Sequence, residues 1–346
     1  MAGSDRMTDC PDFDLGRLET HLRSRLATKG CIDRIEPTSG GLSNPTFFLD
    51  FAGKRMVLRK QPPGPIMRSA HAIDREFRVL SALQGTGIPV PDVYLYEDDT
   101  GIIGTPFYLM EAVDGEVFQQ ASMPGLSPSQ RHACYVSMAE TMADLHRLDW
   151  VAIGLGDYGR PGNYFDRQFS RWSRFWREEA HRDNAALDEL TTWLEEHPDA
   201  GEGMASLCHG DLKLNNFVFD TERGKVAAII DWELSTIGHP FADAGFNCMA
   251  FHTTPQDYGG LRGIDLVELG IPDQRDYLEI YYARFGRAER MTAYHQAFAF
   301  FRAAVGSESV RHRAAQGLGV SDNSEELGAR LGAMFAAKGL EIALAA

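Results

Sequence analysis

The chain lacks the features that mark disulfide scaffolds, zinc modules, membrane spans and nucleic-acid binders. Its five cysteines, Cys10, Cys31, Cys134, Cys208 and Cys248, are odd in number, widely scattered and contain no CxxC pair. That spacing argues against a zinc knuckle or a disulfide framework, and predicts buried free thiols in a reducing compartment. No apolar run approaches the ~18 residues of a membrane helix, and Met1–Pro11 has no apolar core of a signal peptide. The expectation is a soluble, cytoplasmic protein with no membrane partner. Basic residues are also short. The 34 Lys and Arg against 49 Asp and Glu leave a formal charge of −15, so no broad basic face is available to grip nucleic acid. Nowhere do two histidines and a carboxylate stand at zinc-binding spacing, and no segment repeats.

What is present fits an enzyme. A length of 346 residues suits one two-lobed unit or two modest domains. Leu15, Leu18, Leu22 and Leu26 recur at helical spacing. Strand-like segments follow at Cys31–Glu36, Thr46–Phe51 and Arg55–Lys60, then a helix marked by Ile73, Phe77, Leu80 and Leu83. Two more strands are predicted near Val93–Tyr96 and Phe107–Glu111. After Gly115 the texture becomes helical. Ser127-Pro128 starts one helix, Tyr164–Ala180 and Asn184–Glu196 are two others, and Tyr277–Phe285, Met291–Val305 and Glu325–Ala345 close the chain. A hairpin at Leu214–Asp231 interrupts them. The reading is an α+β chain with a β-rich front lobe, residues 1–113, and a helical back lobe, residues 114–346.

The chemistry is concentrated in Cys208-His209-Gly210-Asp211-Leu212-Lys213-Leu214-Asn215-Asn216, followed by the apolar strand Val226–Ile230 and then Asp231. Phosphoryl transfer needs a carboxylate to orient and deprotonate the attacking hydroxyl, oxygen ligands for Mg²⁺, and a cation against the transferring group. Asp211 suits the first role. Asn216, five residues on, and Asp231 are hard oxygen ligands, and Lys213 could supply the cation. A loop running into a tight hairpin would set Asp211, Asn216 and Asp231 at one edge of a ribbon.

These residues resemble the aminoglycoside phosphotransferase family, a branch of the protein-kinase-like superfamily, with its HGD-x-x-x-x-N loop and later Ile-Asp-Trp segment. Asp231-Trp232-Glu233 follows that family and not the Asp-Phe-Gly of protein kinases. The resemblance implies a protein-kinase-like two-lobed fold, ATP and Mg²⁺ as cofactors, Asp211 as the catalytic aspartate, and Asn216 and Asp231 as metal ligands. It also implies a nucleotide loop at Ser39, Gly40, Gly41, Ser43 and Asn44, although GxGxxG is absent. Arg59, with Lys60 as the alternative, sits where the family carries its phosphate-contacting strand cation, and Glu76 is the helix partner. Met110, Glu111 and Val113 belong to the hinge that would meet adenine. Trp232 and Asp243 take support roles, and His239 departs from the family's aspartate. Val57–Gly64, Ala70–Glu76 and Gly104–Glu111 are similar to a bacterial phosphotransferase group and to kinase-like domains fused to some acyl-CoA dehydrogenases. The implied partners are ATP and a small-molecule hydroxyl acceptor, with a hydroxyacyl compound as the finer suggestion.

Plainer readings stand beside these. Phe165, Phe169, Trp172, Phe175 and Trp176 read better as helix packing than as a ligand box. His146 and His209 read as hydrogen-bonded framework, and Tyr281 and Tyr282 fit packing as well as an acceptor pocket. Lys213 is equally compatible with solvent. A nucleotide-binding pseudokinase is the rival from the binding class. Nucleotidyl transfer or protein phosphorylation is the third reading, disfavoured by the short Asp231–Pro240 connection.

Overall fold

The computed structural model describes residues 13–38, 44–62, 73–180, 182–198, 203–318 and 323–346. They fall into two units, Met1–Asp114 with Ile230–Glu233, and Gly115–Ile229 with Leu234–Ala346. The short return of Ile230–Glu233 to the first unit is not visible in a linear division at residue 113.

In the first unit, α1 (Leu15–Arg25) begins at Asp14, whose carboxylate accepts from the N–H groups of Gly16 and Arg17. This is the ordinary satisfaction of a helix start. Strands β1 (Ile32–Pro37), β2 (Thr46–Phe51) and β3 (Lys54–Lys60) follow, then α2 (Ile73–Leu83), β4 (Val93–Glu97) and β5 (Phe107–Glu111). The strands form one sheet in the order β1-β2-β3-β5-β4, every pair antiparallel. Ala52 and Gly53, both at positive φ, make the two-residue turn between β2 and β3, matching the right-handed strand twist. Phe47, Leu49 and Phe51 alternate inward on β2 and pack with Leu18, Leu22, Leu58 and Leu109. The buried face of α2 consists of Ile73, Val79, Leu80, Leu83 and one acid, Glu76. A carboxylate in an apolar stripe is costly without a partner, so that position points to a specific ion pair.

In the second unit, α3 (Pro128–Arg147) starts with a capping box between Ser127 and Gln130. Next come α4 (Tyr164–Arg174), continued by a π turn over Phe175–Glu179, and α5 (Ala185–Glu196). Two ribbons follow: β6 (Ser206–Cys208) pairs β9 (Thr236–Gly238), and β7 (Phe217–Asp220) pairs β8 (Lys225–Ile229). The predicted hairpin is the second ribbon. The first went unseen because three residues per strand carry no readable alternation. Helices α6 (Pro240–Asn247), α7 (Pro255–Tyr258), α8 (Leu266–Leu269), α9 (Gln274–Phe285), α10 (Ala293–Arg313) and α11 (Ser324–Leu344) complete the unit. Phe165 and Trp176 lie in its core, with Phe169, Trp172 and Phe175 packed against it, so the packing reading of that aromatic set holds.

One expectation changes. The thiols of Cys134, Cys208 and Cys248 are buried and free, but Cys31 is exposed, on the polar side of the edge-strand entry. Cys10 lies outside the described residues. Among the described residues, no helix is long and apolar enough to cross a membrane.

Candidate active site

In the second unit the loop after β6 carries the predicted catalytic residues. Gly210 sits at φ 84°, and a Cβ there would stand 2.2 Å from the Leu234 carbonyl oxygen. The glycine is therefore required by both conformation and close approach. Asp211 is partly exposed, with Lys213 Nζ 3.2 Å from its Oδ2. Asn216 Nδ2 donates to the Asp211 carbonyl at 2.7 Å and to its Oδ2 at 3.1 Å. These two bonds use the amide N–H groups and leave the Asn216 carbonyl oxygen, the atom a hard cation would take. Asn216 precedes Phe217, which pairs with Ile229 across the ribbon, two residues before Asp231 in sequence.

The loop is held by three side chains from two helices. Asp243 on α6 accepts from the His209 N–H at 2.6 Å and the Gly210 N–H at 2.9 Å. Arg302 on α10 donates to the Gly210 carbonyl at 2.5 Å, and Asn247 donates to the Leu212 carbonyl at 3.0 Å. Arg302 and Asn247 were missed in the sequence. Asn247 stands one helical turn from Asp243, a signal that periodicity offered; Arg302 is 92 residues away from its partner and carries none. His209 is fully buried, with Nδ1 accepting from the Asp211 N–H at 3.2 Å. His146 bonds Tyr281 at 2.9 Å and faces Asp243 at 3.4 Å. Both histidines are framework residues.

His146, Cys208 and Asp243 lie close enough to share a metal ion, but their chemistry argues against it. Burial pushes the Cys208 thiol well up, which disfavours the thiolate that a metal ion takes. Burial alone would raise the Asp243 carboxyl as well, yet the His146 bond and the backbone donors hold it below its ordinary value. Its oxygens are already occupied by hydrogen bonds.

His239, where the family carries aspartate, accepts at Nδ1 from the Phe241 N–H and caps α6. The imidazole does what a carboxylate would do there. Tyr281 is buried against His146, and Tyr282 accepts from the Met291 N–H at 2.9 Å. Both are committed to packing.

In the first unit, Arg59 and not Lys60 turns toward α2. Arg59 Nε lies 3.0 Å from Glu76 Oε2. Its Nη2 lies 2.7 Å from Asp231 Oδ1 and 3.2 Å from Glu233 Oε2. Lys60, on the opposite strand face, sits with Nζ 5.0 Å above the Phe13 ring. The neighbours diverge because side chains alternate along a strand. Burial alone would lower the pKa of Arg59, but Glu76 and then the other acids around it raise it instead. Burial lifts Glu76 to about 7 against the pull of Arg59. Asp231 occupies φ 67°, a left-handed conformation that costs a non-glycine residue ~1–2 kcal/mol. Such strain collects at functional positions. These ion pairs tie Asp231 and Glu233 to β3 within the first unit.

Asn44 is buried, donating through Nδ2 to Glu233 Oε2 at 3.2 Å, while its Oδ1 has no partner among the described residues. Ser39, Gly40, Gly41 and Ser43 lie outside the described residues. Met110 is buried on β5, the Glu111 N–H donates to the Asp92 carbonyl at 2.7 Å, and Val113 is partly exposed just beyond. Trp232 is fully buried.

The profile of the "Phosphotransferase enzyme family" matches residues 34–304. Acyl-CoA dehydrogenase family member 11 of Rattus norvegicus is 40% identical over 320 residues, covering 90% of this chain and 41% of that protein. The chain thus spans well under half the length of that relative. A Ralstonia eutropha protein, crystallised and described as a candidate aminoglycoside phosphotransferase, is 38% identical. It covers 96% of this chain and 99% of its own, with a TM-score of 0.86. The spectinomycin phosphotransferase solved with ADP and spectinomycin shares the fold at 14% identity. Its TM-score is 0.63 over 97% of this chain and 99% of its own.

Proposed function

The chain belongs to the phosphotransferase enzyme family, whose acceptor is an alcohol group, and from that premise we propose that it is an ATP- and magnesium-dependent small-molecule kinase. The observation that carries this reading is the Asp211 carboxylate, fastened by Asn216 and Lys213 in a loop whose backbone is pinned by Asp243, Asn247 and Arg302. A base held this firmly orients an acceptor hydroxyl and takes its proton as the oxygen–phosphorus bond forms. The γ-phosphorus leaves the oxygen it shared with the β-phosphate, and ADP departs.

Asn216 and Asp231 are the residues that would hold Mg²⁺, and their hard oxygen atoms suit that ion. Bound there, the ion would neutralise phosphate charge. Arg59, braced by Glu76, is the phosphate-contacting cation in this reading, and its planar fork suits bidentate contact with phosphate oxygens. Lys213 would counter charge on the transferring group. Asn44, with residues 39–43 before it in sequence, and the Met110–Val113 segment are assigned to the nucleotide. ADP in the spectinomycin phosphotransferase complex supports nucleotide use. A hydroxyacyl acceptor is the finer proposal, drawn from the acyl-CoA dehydrogenase family relatives.

The test is ADP release with Mg-ATP across hydroxyacyl-CoAs, hydroxy acids and amino alcohols, with Asp211→Asn as control. On a confirmed acceptor, Asp211→Asn should lower kcat by ~10²–10⁴, the usual worth of a positioned base, while nucleotide still binds. Wild-type turnover in that variant would refute the mechanism. Tight ATP binding without ADP release over the whole panel would favour the pseudokinase reading.

A further inference from the structure

A cavity of about 240 Å³ opens directly beside the catalytic loop, walled by Lys213, Leu214 and Asn215 of the loop itself. The opposite walls include Phe118, Phe246, Met249 and Ala250, with Tyr258 and Gly259 at one side. Two sets of contacts hold its walls in place. The Asn215 amide donates to Gln119 Oε1 at 3.3 Å, and its own Oδ1 is buried with no hydrogen-bond partner among the described residues. The Tyr258 wall is also fixed in place. The Ala121 N–H donates to the Gly259 carbonyl at 2.7 Å, and a Cβ on Gly259 would stand 2.5 Å from the Gln119 oxygen.

The second observation is chemical. Among the described residues, no aspartate or glutamate lines the cavity, and the one charged wall residue is Lys213. An ammonium group entering here would lose its water with no carboxylate among the lining residues to replace it, since the neighbouring Asp211 carboxylate is already paired with Lys213 at 3.2 Å. Methylenes would instead gain from leaving water against Phe118, Phe246 and Met249.

We propose that this cavity receives the body of the acceptor and selects a hydroxylated compound with an apolar body and no ammonium group. The proposal rests on the reading of Asp211 as the base that meets the acceptor hydroxyl. It deepens that reading by naming the acceptor's chemistry, which is the opposite of a polyamine sugar's.

A matched pair of probes tests it: hexanediol and aminohexanol, equal in length and differing in one hydroxyl against one ammonium. Each is measured for Mg-ATP-dependent ADP release, and for binding through the Met249 methyl resonance. Hexanediol should shift that methyl and release ADP with a KM at least tenfold below that of aminohexanol. Ala250→Glu, which puts a carboxylate in the wall, should reverse the order, and Tyr258→Ala should raise the hexanediol KM severalfold with the nucleotide KM unmoved. If Ala250→Glu does not fold, the wild-type pair and Tyr258→Ala decide.

Equal use of the two probes would overturn the proposal. So would unchanged acceptor KM values in both variants, or a Met249 methyl that neither probe moves. A methyl shift by hexanediol alone, with no ADP from either probe, would sustain the cavity's selectivity and count against phosphoryl transfer.

Discussion

One guanidinium, that of Arg59, answers three carboxylates in the first unit, and the balance among them is testable. Arg59→Lys keeps the charge but loses the fork that reaches Glu76, Asp231 and Glu233 together. The expected outcome is a nucleotide KM higher by about tenfold, equivalent to ~1.4 kcal/mol, with the fold retained. An unchanged KM would remove Arg59 from the phosphate site. Glu76 gives a pH signature. Its folded pKa, lifted by burial to about 7 from a usual 4.5, means that the folded state holds its proton more tightly than the unfolded chain. The stabilisation is complete below pH 4.5 and is lost as pH rises through about 7. The slope is at most ~1.4 kcal/mol per pH unit for one proton. Denaturant titrations of the ligand-free protein across that window should show the decline, and Glu76→Gln should flatten it. A wild-type curve no steeper than the variant's would refute the assignment. At this scale the sequence points to neighbours where a local motif ties them, as with Asp211 and Asn216, which the structure brings within hydrogen-bond distance. It left Arg59 against Lys60 open, because strand alternation says that neighbours diverge but not which one faces α2.

At the scale of elements, the catalytic loop is a passenger of α6 and α10. Asp243 and Asn247 grip it from one helix and Arg302 from the other. Removing Arg302 leaves the Gly210 carbonyl without its charged donor, and bonds to charged groups carry ~1.5–3 kcal/mol each. Arg302→Met is therefore expected to lower kcat on a confirmed acceptor by ten- to a hundredfold and leave the nucleotide KM within about twofold. Arg302→Lys should restore part of the loss. An equal fall in kcat and in melting temperature, with no rescue by lysine, would make Arg302 a packing residue only. Most elements could be read in advance because each carries its own period or cap: the leucines of α1, the alternation of β2, the serine and proline that open α3. The β6–β9 ribbon and the far end of α10 could not. Three-residue strands have no period, and the continuation of α10 from Val305 to Arg313 is a polar stretch ordered by tertiary contacts. Glu308 there is fully buried and met by Arg182 at 2.7 Å and Arg311 at 2.7 Å. Its burial is a product of packing that no local pattern announces.

At the scale of the whole chain, 49 acids against 34 bases make a molecule whose proposed cofactor is itself cationic. Asp231, the assigned metal ligand on the first unit, is held at 2.7 Å by Arg59, so a metal ion there competes with a guanidinium and gains most when phosphates arrive to take Arg59 over. Nucleotide and Mg²⁺ should accordingly stabilise the protein together more than either does alone. Mass action gives ~2.7 kcal/mol at a ligand concentration one hundred times Kd. Thermal unfolding with ADP plus Mg²⁺ should show a rise on that scale, with ADP plus EDTA a smaller one and Mg²⁺ alone little. Asp231→Asn should erase the metal-dependent increment and keep the ADP-only rise. The acidic surface makes a non-specific ion effect the obvious rival, and calcium or doubled ionic strength would then reproduce the increment in the Asp231→Asn variant as readily as in the wild type. If the increment survives that substitution, Asp231 does not hold the ion, and the metal half of the proposed chemistry has to be sought among other carboxylates.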